Sequence, residues 1–451
     1  MTNKIRVSDP QELLALIPYQ LGFQPENSLV VMSLRGDRHR VGLIARCELD
    51  ELTSETGQDL AHFLIEQCLK DGARRVFLAF YFDHQEPLSA DTCLSEEQTV
   101  TILQAFMAYR VLMKQVTGQI EPDSIWVVGP HSYFNWAAYD SPGCDEHCGR
   151  QCDERCDLDC AFGCPLHTPD GAIKLRSVSE FETTQVSANM VLNGLTYRKR
   201  REDLGMVARA PKAERDKAGA SYRRHQRRLQ QAREQGGIAT WERQTLDLWQ
   251  EILNDLGYQD HMASGCDGGL CRRETWSATG PSITPARIGR IASGMSSRRV
   301  RDAILLSMTP DGMTTARQFL ASELDTCCCG PNNTAICTSC EHPKADSHGE
   351  SLVNDALSKI VSPARGVPPT TCLTEIAQEV LETVIAHTTQ TLTAPQHALL
   401  CLLAWWKGNG AVARRHNELA LKFDEDYRLA NLFATVLDAG LAPGWARRQK
   451  T

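Results

Sequence analysis

Nothing in this sequence of 451 residues stays apolar for the roughly 20 positions that a helical bilayer crossing requires. The longest strongly apolar stretch, HALLCLLAWW at 397–406, is about half that length. The opening MTNKIRVSDPQELLALIPYQ lacks a cationic start followed by an unbroken apolar core and a small-residue cleavage site, so no secretory signal is read. The expectation is a cytoplasmic chain with no membrane partner. Also missing are the phosphate-cradling GxxxxGK(S/T), GxGxxG after a strand, HExxH and GxSxG, the common marks of nucleotide, zinc-protease and serine-hydrolase chemistry. Aromatic residues are few, at 6%. The formal net charge of -8 argues against a whole-molecule nucleic-acid binder.

What remains is ordinary globular composition, 42% hydrophobic and 23% charged, enough for two or three domains with real cores. Periodicity places NSLVVMSL and RVGLIARCELD as two strands joined across RGDRH. A helix follows, capped by Ser54, with Leu60, Phe63, Leu64 and Cys68 on one face and Gly72 at its end. RRVFLAFYFD and SIWVVG read as strands apolar on both faces, with helix at 96–117 between them. That alternation predicts an N-terminal α/β domain over 1–140 with a mostly parallel sheet and flanking helices. The carboxyl ends of parallel strands share one edge, where open α/β sheets bind ligands. Asp83, His84 and His131 fall there, as candidates for catalysis or metal binding.

Further along, 141–175 is a cysteine-rich segment, 176–260 polar and helical, 261–350 helical with a second cysteine cluster, and 351–451 an all-α C-terminal domain. Residues 198–234 hold thirteen Lys or Arg against five Asp or Glu, a local charge of +8. SYRRHQRRLQQAREQ within it reads as an exposed basic helix, and Gly205, Pro211 and Gly219 are expected to interrupt what precedes it. With Tyr222, and Tyr197 just before it, as the only aromatics there, the segment is not expected to bind nucleic acid. In the last hundred residues, APQHALLCLLAWWKGNG, AVARRHNELALKF and YRLANLFATVLDAG read as three successive helices, the first and last closed by glycine.

Cysteine is unusually frequent for a chain expected in a reducing compartment. Of eighteen, thirteen cluster and five are scattered; the scattered ones (Cys47, Cys68, Cys93, Cys372, Cys401) read as small apolar side chains. Cys144, Cys148, Cys152, Cys156, Cys160 and Cys164 form a ladder, one cysteine every fourth residue. On a straight helix each would drift about 40° from the last, so no single face holds all six. Cβ atoms four apart lie roughly 5–6 Å apart, too far for an unstrained disulfide. Two thiolates at about 2.3 Å from a zinc ion tolerate that spacing. The interleaved Asp145, Glu146, Asp153, Glu154, Asp157 and Asp159 raise thiol pKa values unless a cation offsets them. Metal binding, disulfides and an unligated acidic loop all stay open; zinc is the adopted expectation, with His147 and His167 as spare ligands.

The second constellation, CCCGPNNTAICTSCEH, contains Cys337 and Cys340 two apart, half of many structural zinc sites. Cys327, Cys328 and Cys329, or Cys266 and Cys271 of GCDGGLC, supply the other half, with His342 as a further option. Cys327, Cys329, Cys337 and Cys340 are the favoured ligands, and the alternative is a thiol-rich loop.

Four stretches, IPYQLGFQPENSLVVMSL at 17–34, RVGLIARCEL at 40–49, VRDAILLS at 300–307 and LLAWWKGNGAVARRHNELALKFDEDYRLANLFATVLDAGLAP at 402–443, resemble an actinobacterial family known as domain of unknown function 4192. The resemblance implies an α/β front and a helical back, and brings no activity. Its members look shorter across the cysteine-rich segments, so those are expected to be loop insertions. The tail is also similar to one tetratricopeptide hairpin, through Gly410, Ala413, Ala420, Leu421 and Ala430; one unit is too few for a solenoid, so simple helical packing is the expectation and a groove for a protein partner on the C-terminal helices the alternative. Arg46, Arg301 and Asp302, within the resembling stretches, are expected to form helix-end ion pairs or strand-edge contacts. The preferred function is a non-enzymatic binding or scaffold protein with structural zinc. The alternative is a metal-dependent enzyme at the sheet edge.

Overall fold

The computed structural model describes residues 9–83, 96–116, 118, 120–135, 176–193, 195–257, 283–309, 312–321 and 347–448. The chain divides into two compact units, Asn3–Asp203 and Leu204–Thr451. Both cysteine clusters, Cys266, Cys271 and His84 lie outside the described residues.

The first unit opens with helix α1 (Pro10–Leu21). The Asp9 carboxylate caps it by accepting the Gln11 N–H, Pro10 fills the first turn, and Gly22 ends it at φ +83°. Then come β1 (Ser28–Arg35), β2 (Arg40–Glu48), α2 (Leu49–Thr53), α3 (Gly57–Lys70), β3 (Ala73–Tyr81), α4 (Glu96–Met113), β4 (Glu121–Val128), β5 (Ser132–Asn135), β6 (Arg176–Ser177) and α5 (Gln185–Leu192). Thr56, not Ser54, precedes α3; Ser54 closes α2.

The six strands form one sheet in the order β2-β1-β3-β4-β5-β6. Only β3 and β4 run parallel, joined through α4 as expected. β1 is antiparallel to β2 and to β3, β4 to β5, and β5 to β6. The sheet is therefore mixed, which corrects the mostly parallel expectation. The reason is physical: β1 and β3 are buried on both faces, and that burial is satisfied by a neighbour of either direction. The hairpin leaves one edge of β1 open, and the crossover through α2 and α3 returns β3 to it. On one face Leu29, Val31, Leu78, Phe80 and Val127 pack with Leu64, Ile65 and Cys68 of α3 and Ala105, Ala108 and Leu112 of α4. Met32, Phe77, Ala79 and Tyr81 on the opposite face are buried too.

One polar knot pins the hairpin. The register shifts between Met32 and Leu34, which frees the Leu43 N–H from the strand ladder. That N–H donates to Ser33 Oγ at 2.7 Å and to Asp71 Oδ2 at 2.8 Å. Asp71, just past α3, also accepts from Ser33 Oγ and from both arms of the Arg35 guanidinium. Burial alone would raise the Asp71 pKa, but these bonds outweigh it and hold the carboxyl below its ordinary range. Gly42 is required here, because an added Cβ would stand 2.2 Å from Asp71 Oδ2 and 2.4 Å from Ser33 Oγ.

In the second unit the described elements are helices: α6 (Lys212–Glu234), α7 (Ile238–Asp255), α8 (Pro285–Gly294), α9 (Arg298–Ser307), α10 (Gly312–Ala321), α11 (Ser347–Val361), α12 (Thr371–His387), α13 (Ala394–Trp406), α14 (Gly410–Phe423), α15 (Arg428–Asp438) and α16 (Gly444–Arg448). Pro211 stands at the N-terminus of α6, but Gly219 lies inside it, so the expected interruption is absent there. A mid-helix glycine costs about 1 kcal/mol, and burial of Ala218, Ser221 and Leu229 along α6 offsets it. Tryptophans tie the core through their indole N–H groups: Trp249 to Ser307 Oγ, Trp406 to the Val367 carbonyl, Trp445 to the Trp406 carbonyl. Buried Glu242 accepts from Ser297 Oγ at 2.8 Å and from Arg299 at 3.2 Å.

Cys47, Cys68 and Cys401 are buried free thiols, pushed up to about 12 chiefly by that burial, as expected of apolar fillers. Cys372 differs from that expectation: it is disulfide-bonded. No described helix is long and apolar enough to cross a membrane.

Asp71→Asn removes the charge on which four hydrogen bonds converge. Urea unfolding is expected to show a loss of about 1.5–3 kcal/mol, against under 0.5 kcal/mol for the exposed Asp59→Asn.

Candidate functional site

The sheet edge named from the sequence exists in part. Parallel β3 and β4 end in register at Tyr81 and Val128, so Asp83 and His131 do leave from one edge. Both are exposed. The Asp83 N–H points to Asn27 Oδ1 at 3.4 Å, and the His131 carbonyl accepts from the Val178 N–H. Among the described residues no group of three or more His, Cys, Asp or Glu side chains is placed to hold a metal ion. Cys144, Cys148, Cys152, Cys156, Cys160, Cys164, Cys327, Cys329, Cys337 and Cys340 lie outside the described residues.

A different site emerges in the helical unit. A cavity of ≈ 310 Å³ opens where the α8–α9 corner, the start of α13 and the turn between α14 and α15 meet. Arg298, Arg301 and Arg428 line it together with Asp424 and Asp426. Tyr222, Tyr427, Met295, Leu392 and Pro395 supply rings and apolar wall.

Arg301 is the fixed part. Its Nε and Nη2 donate to Asp302 Oδ1 at 2.8 and 2.6 Å, and its Nη1 donates to the Tyr427 hydroxyl at 3.1 Å. Burial opposes the charge on Arg301, but Asp302 and Tyr427 outweigh it and hold the guanidinium above its ordinary pKa. Burial likewise raises Asp302, although Arg301, Arg298 and Arg428 pull the other way. Tyr427 is raised first by burial, so it stays a neutral hydroxyl. Arg46 meets the ion-pair expectation in the other unit, bonding Glu48 at 2.7 Å.

The remaining charges are uncommitted. Among the described residues Arg298, Arg428, Asp424 and Asp426 make no side-chain hydrogen bond or ion pair, and all four are exposed. Sequence reasoning missed them. The signal was there as the charged run DEDYR between two apolar-striped helices, but its meeting with Arg298 spans more than a hundred residues.

Beneath the wall lies a buried histidine pair. His397, following Ala394 and Pro395 on α13, sets its Nδ1 3.1 Å from Nδ1 of His416 on α14. Gly205, at φ +64°, covers His416 so closely that a Cβ would stand 2.8 Å from Cε1. Burial first, then Arg415, pushes His397 down to about 4. Burial, His397 and Arg415 push His416 to about 3. One neutral ring donates and the other accepts.

An α/β unit built on a mixed sheet, followed by a helical unit with a cleft of both charges, defines the class of this protein. The family model described as Domain of unknown function (DUF4192) matches residues 10–331 and 370–444. The chain belongs to that family. No curated protein and no solved structure matches it. Two of the stretches that carry the resemblance, 300–307 and 402–443, are joined by the bond from Arg301 to Tyr427.

The histidine pair makes stability fall with acid. Below pH 6.5 an unfolded histidine binds a proton that the folded ring refuses until about pH 4, so lowering the pH through that window favours unfolding. Between pH 7 and 5, urea midpoints are expected to drop, and to drop less in the double variant His397→Asn, His416→Asn.

Proposed function

We propose that this is a non-enzymatic binding protein whose cleft takes a small molecule bearing both an anionic and a cationic group. The observation that carries this reading is the set of four uncommitted charges, Arg298, Arg428, Asp424 and Asp426, around one cavity. A guanidinium pairs with carboxylate or phosphate through parallel N–H donors, and the two carboxylates accept from an ammonium. Tyr222, Tyr427 and Met295 give the apolar walls that a small-molecule site uses to exclude water. The Arg301–Asp302 pair holds Tyr427 in place and is itself already neutralised.

Structural zinc at the ladder and at Cys327, Cys329, Cys337 and Cys340, and a cytoplasmic location, belong to the same proposal. They are supported by spacing and composition, and elemental analysis with thiol titration of the freshly isolated chain reads the metal.

Calorimetric titration with a panel of amino acids and dipeptides tests the cleft. At least one saturable binder is expected, weakened about tenfold by Arg428→Ala, a loss of roughly 1.4 kcal/mol. Binding by no member of the panel, or equal binding by the variant, overturns the reading.

A further inference from the structure

The α6–α8 contact holds a second cluster of charge, separate from the cleft residues Arg298 and Arg428. The two helices meet at backbone distance. A Cβ on Gly289 would lie 2.2 Å from the Ala218 carbonyl and 2.8 Å from the Tyr222 nitrogen. Ser221 Oγ donates to the Ala286 carbonyl at 2.7 Å, and Gln226 donates to Ser296 Oγ at 2.8 Å. Bonds on both sides of Gly289 thus fix the helices, and the next residue, Arg290, comes within electrostatic reach of Arg228 and His225 of α6.

These side chains carry like charge. Burial, then Arg290, Arg228 and Arg224, push His225 down to about 4. Burial and Arg228 likewise lower Arg290, with Glu251 and Asp247 of α7 acting in the opposite sense. Those two carboxylates have other partners: Asp247 pairs with Arg317 at 2.8 Å and Glu251 with Arg287 at 3.2 Å. Among the described residues Arg224, Arg228 and Arg290 form no ion pair, and Nε of Arg290 is buried without a hydrogen-bond partner. Arg224 and Arg228 stand one helical turn apart, a spacing at which like charges destabilise a helix.

We propose that Arg224, Arg228 and Arg290 form a binding site for the phosphate group of a small phosphorylated molecule. A phosphate monoester carries nearly two negative charges and three acceptor oxygens. It therefore offsets the repulsion of several guanidiniums at once, and each guanidinium presents a planar fork that matches it. A single carboxylate supplies half that charge. The buried Nε of Arg290 marks the inner end of the site, and the exposed Arg224 and Arg228 mark its mouth.

Titration of the full chain with pyrophosphate, read by calorimetry and by the NMR titration of His225, tests this. Saturable binding is expected, with the His225 pKa rising by one unit or more when the anion is bound. Arg228→Gln, on the exposed face of α6, should weaken binding at least tenfold, and Arg290→Gln should do the same with the helical circular dichroism retained. Arg243→Gln, an exposed arginine of α7 outside both clusters, should leave pyrophosphate affinity unchanged, which separates this site from a general effect of charge. No saturable binding at millimolar pyrophosphate, or a His225 titration that does not move, overturns the proposal. So does a single-stranded oligonucleotide that binds tighter than pyrophosphate and displaces it, because the site would then serve a polymer backbone.

Discussion

A guanidinium held away from water must be held by something, and in the helical unit Arg301 is held by Asp302 beside it and by Tyr427 from the far end of the chain. Removing two opposite charges from water costs several kcal/mol unless geometry and further hydrogen bonds recover it. Here the recovery comes through two bonds to one carboxylate oxygen and one to a phenol. The consequence is positional. Tyr427 and its neighbours Asp424, Asp426 and Arg428 are placed opposite the α8–α9 corner, and the cleft exists between them.

The α/β unit solves its own problem by the same means. A bulge in the β1–β2 hairpin leaves an N–H without a strand partner, and Asp71 reaches from the end of α3 to accept it, while Arg35 balances the carboxylate. Without a side chain at Gly42 the acid can approach the backbone. In each unit an arginine bonded to an acid spans two elements: Arg35 of β1 meets Asp71 at the end of α3, and Arg301 of α9, beside Asp302, reaches Tyr427 before α15. The tryptophan N–H bonds in the helical unit play a related part, each carrying a large apolar ring to a defined carbonyl or hydroxyl.

Much of the local structure was legible in the residues. Strands at Ser28–Arg35, Ala73–Tyr81 and Glu121–Val128, and helices from Ala394 to Asp438, follow from apolar spacing and from glycines such as Gly72 and Gly408 at positive φ. The direction of β1 relative to β3 was not legible, because a strand apolar on both faces reads the same whichever way its neighbour runs. Gly219 misled for a similar reason: propensity is local, whereas the α6–α8 packing that overrides it comes from residue 289. The cleft was half visible. Arg301 and Asp302 were expected in ion pairs or strand-edge contacts, and they pair with each other, yet no spacing rule connects them with Tyr427. The cysteine ladder drew attention by its regularity, while the described cavity is built from unremarkable arginines and aspartates.

The central claim is that Arg301 and Tyr427 act as one unit across 126 positions of sequence. A double-mutant cycle with Arg301→Gln and Tyr427→Phe, measured by urea unfolding, reads that coupling directly. An interaction energy of about 1 kcal/mol or more is expected for partners in one buried network. Additive losses, with no coupling beyond about 0.3 kcal/mol, would contradict it.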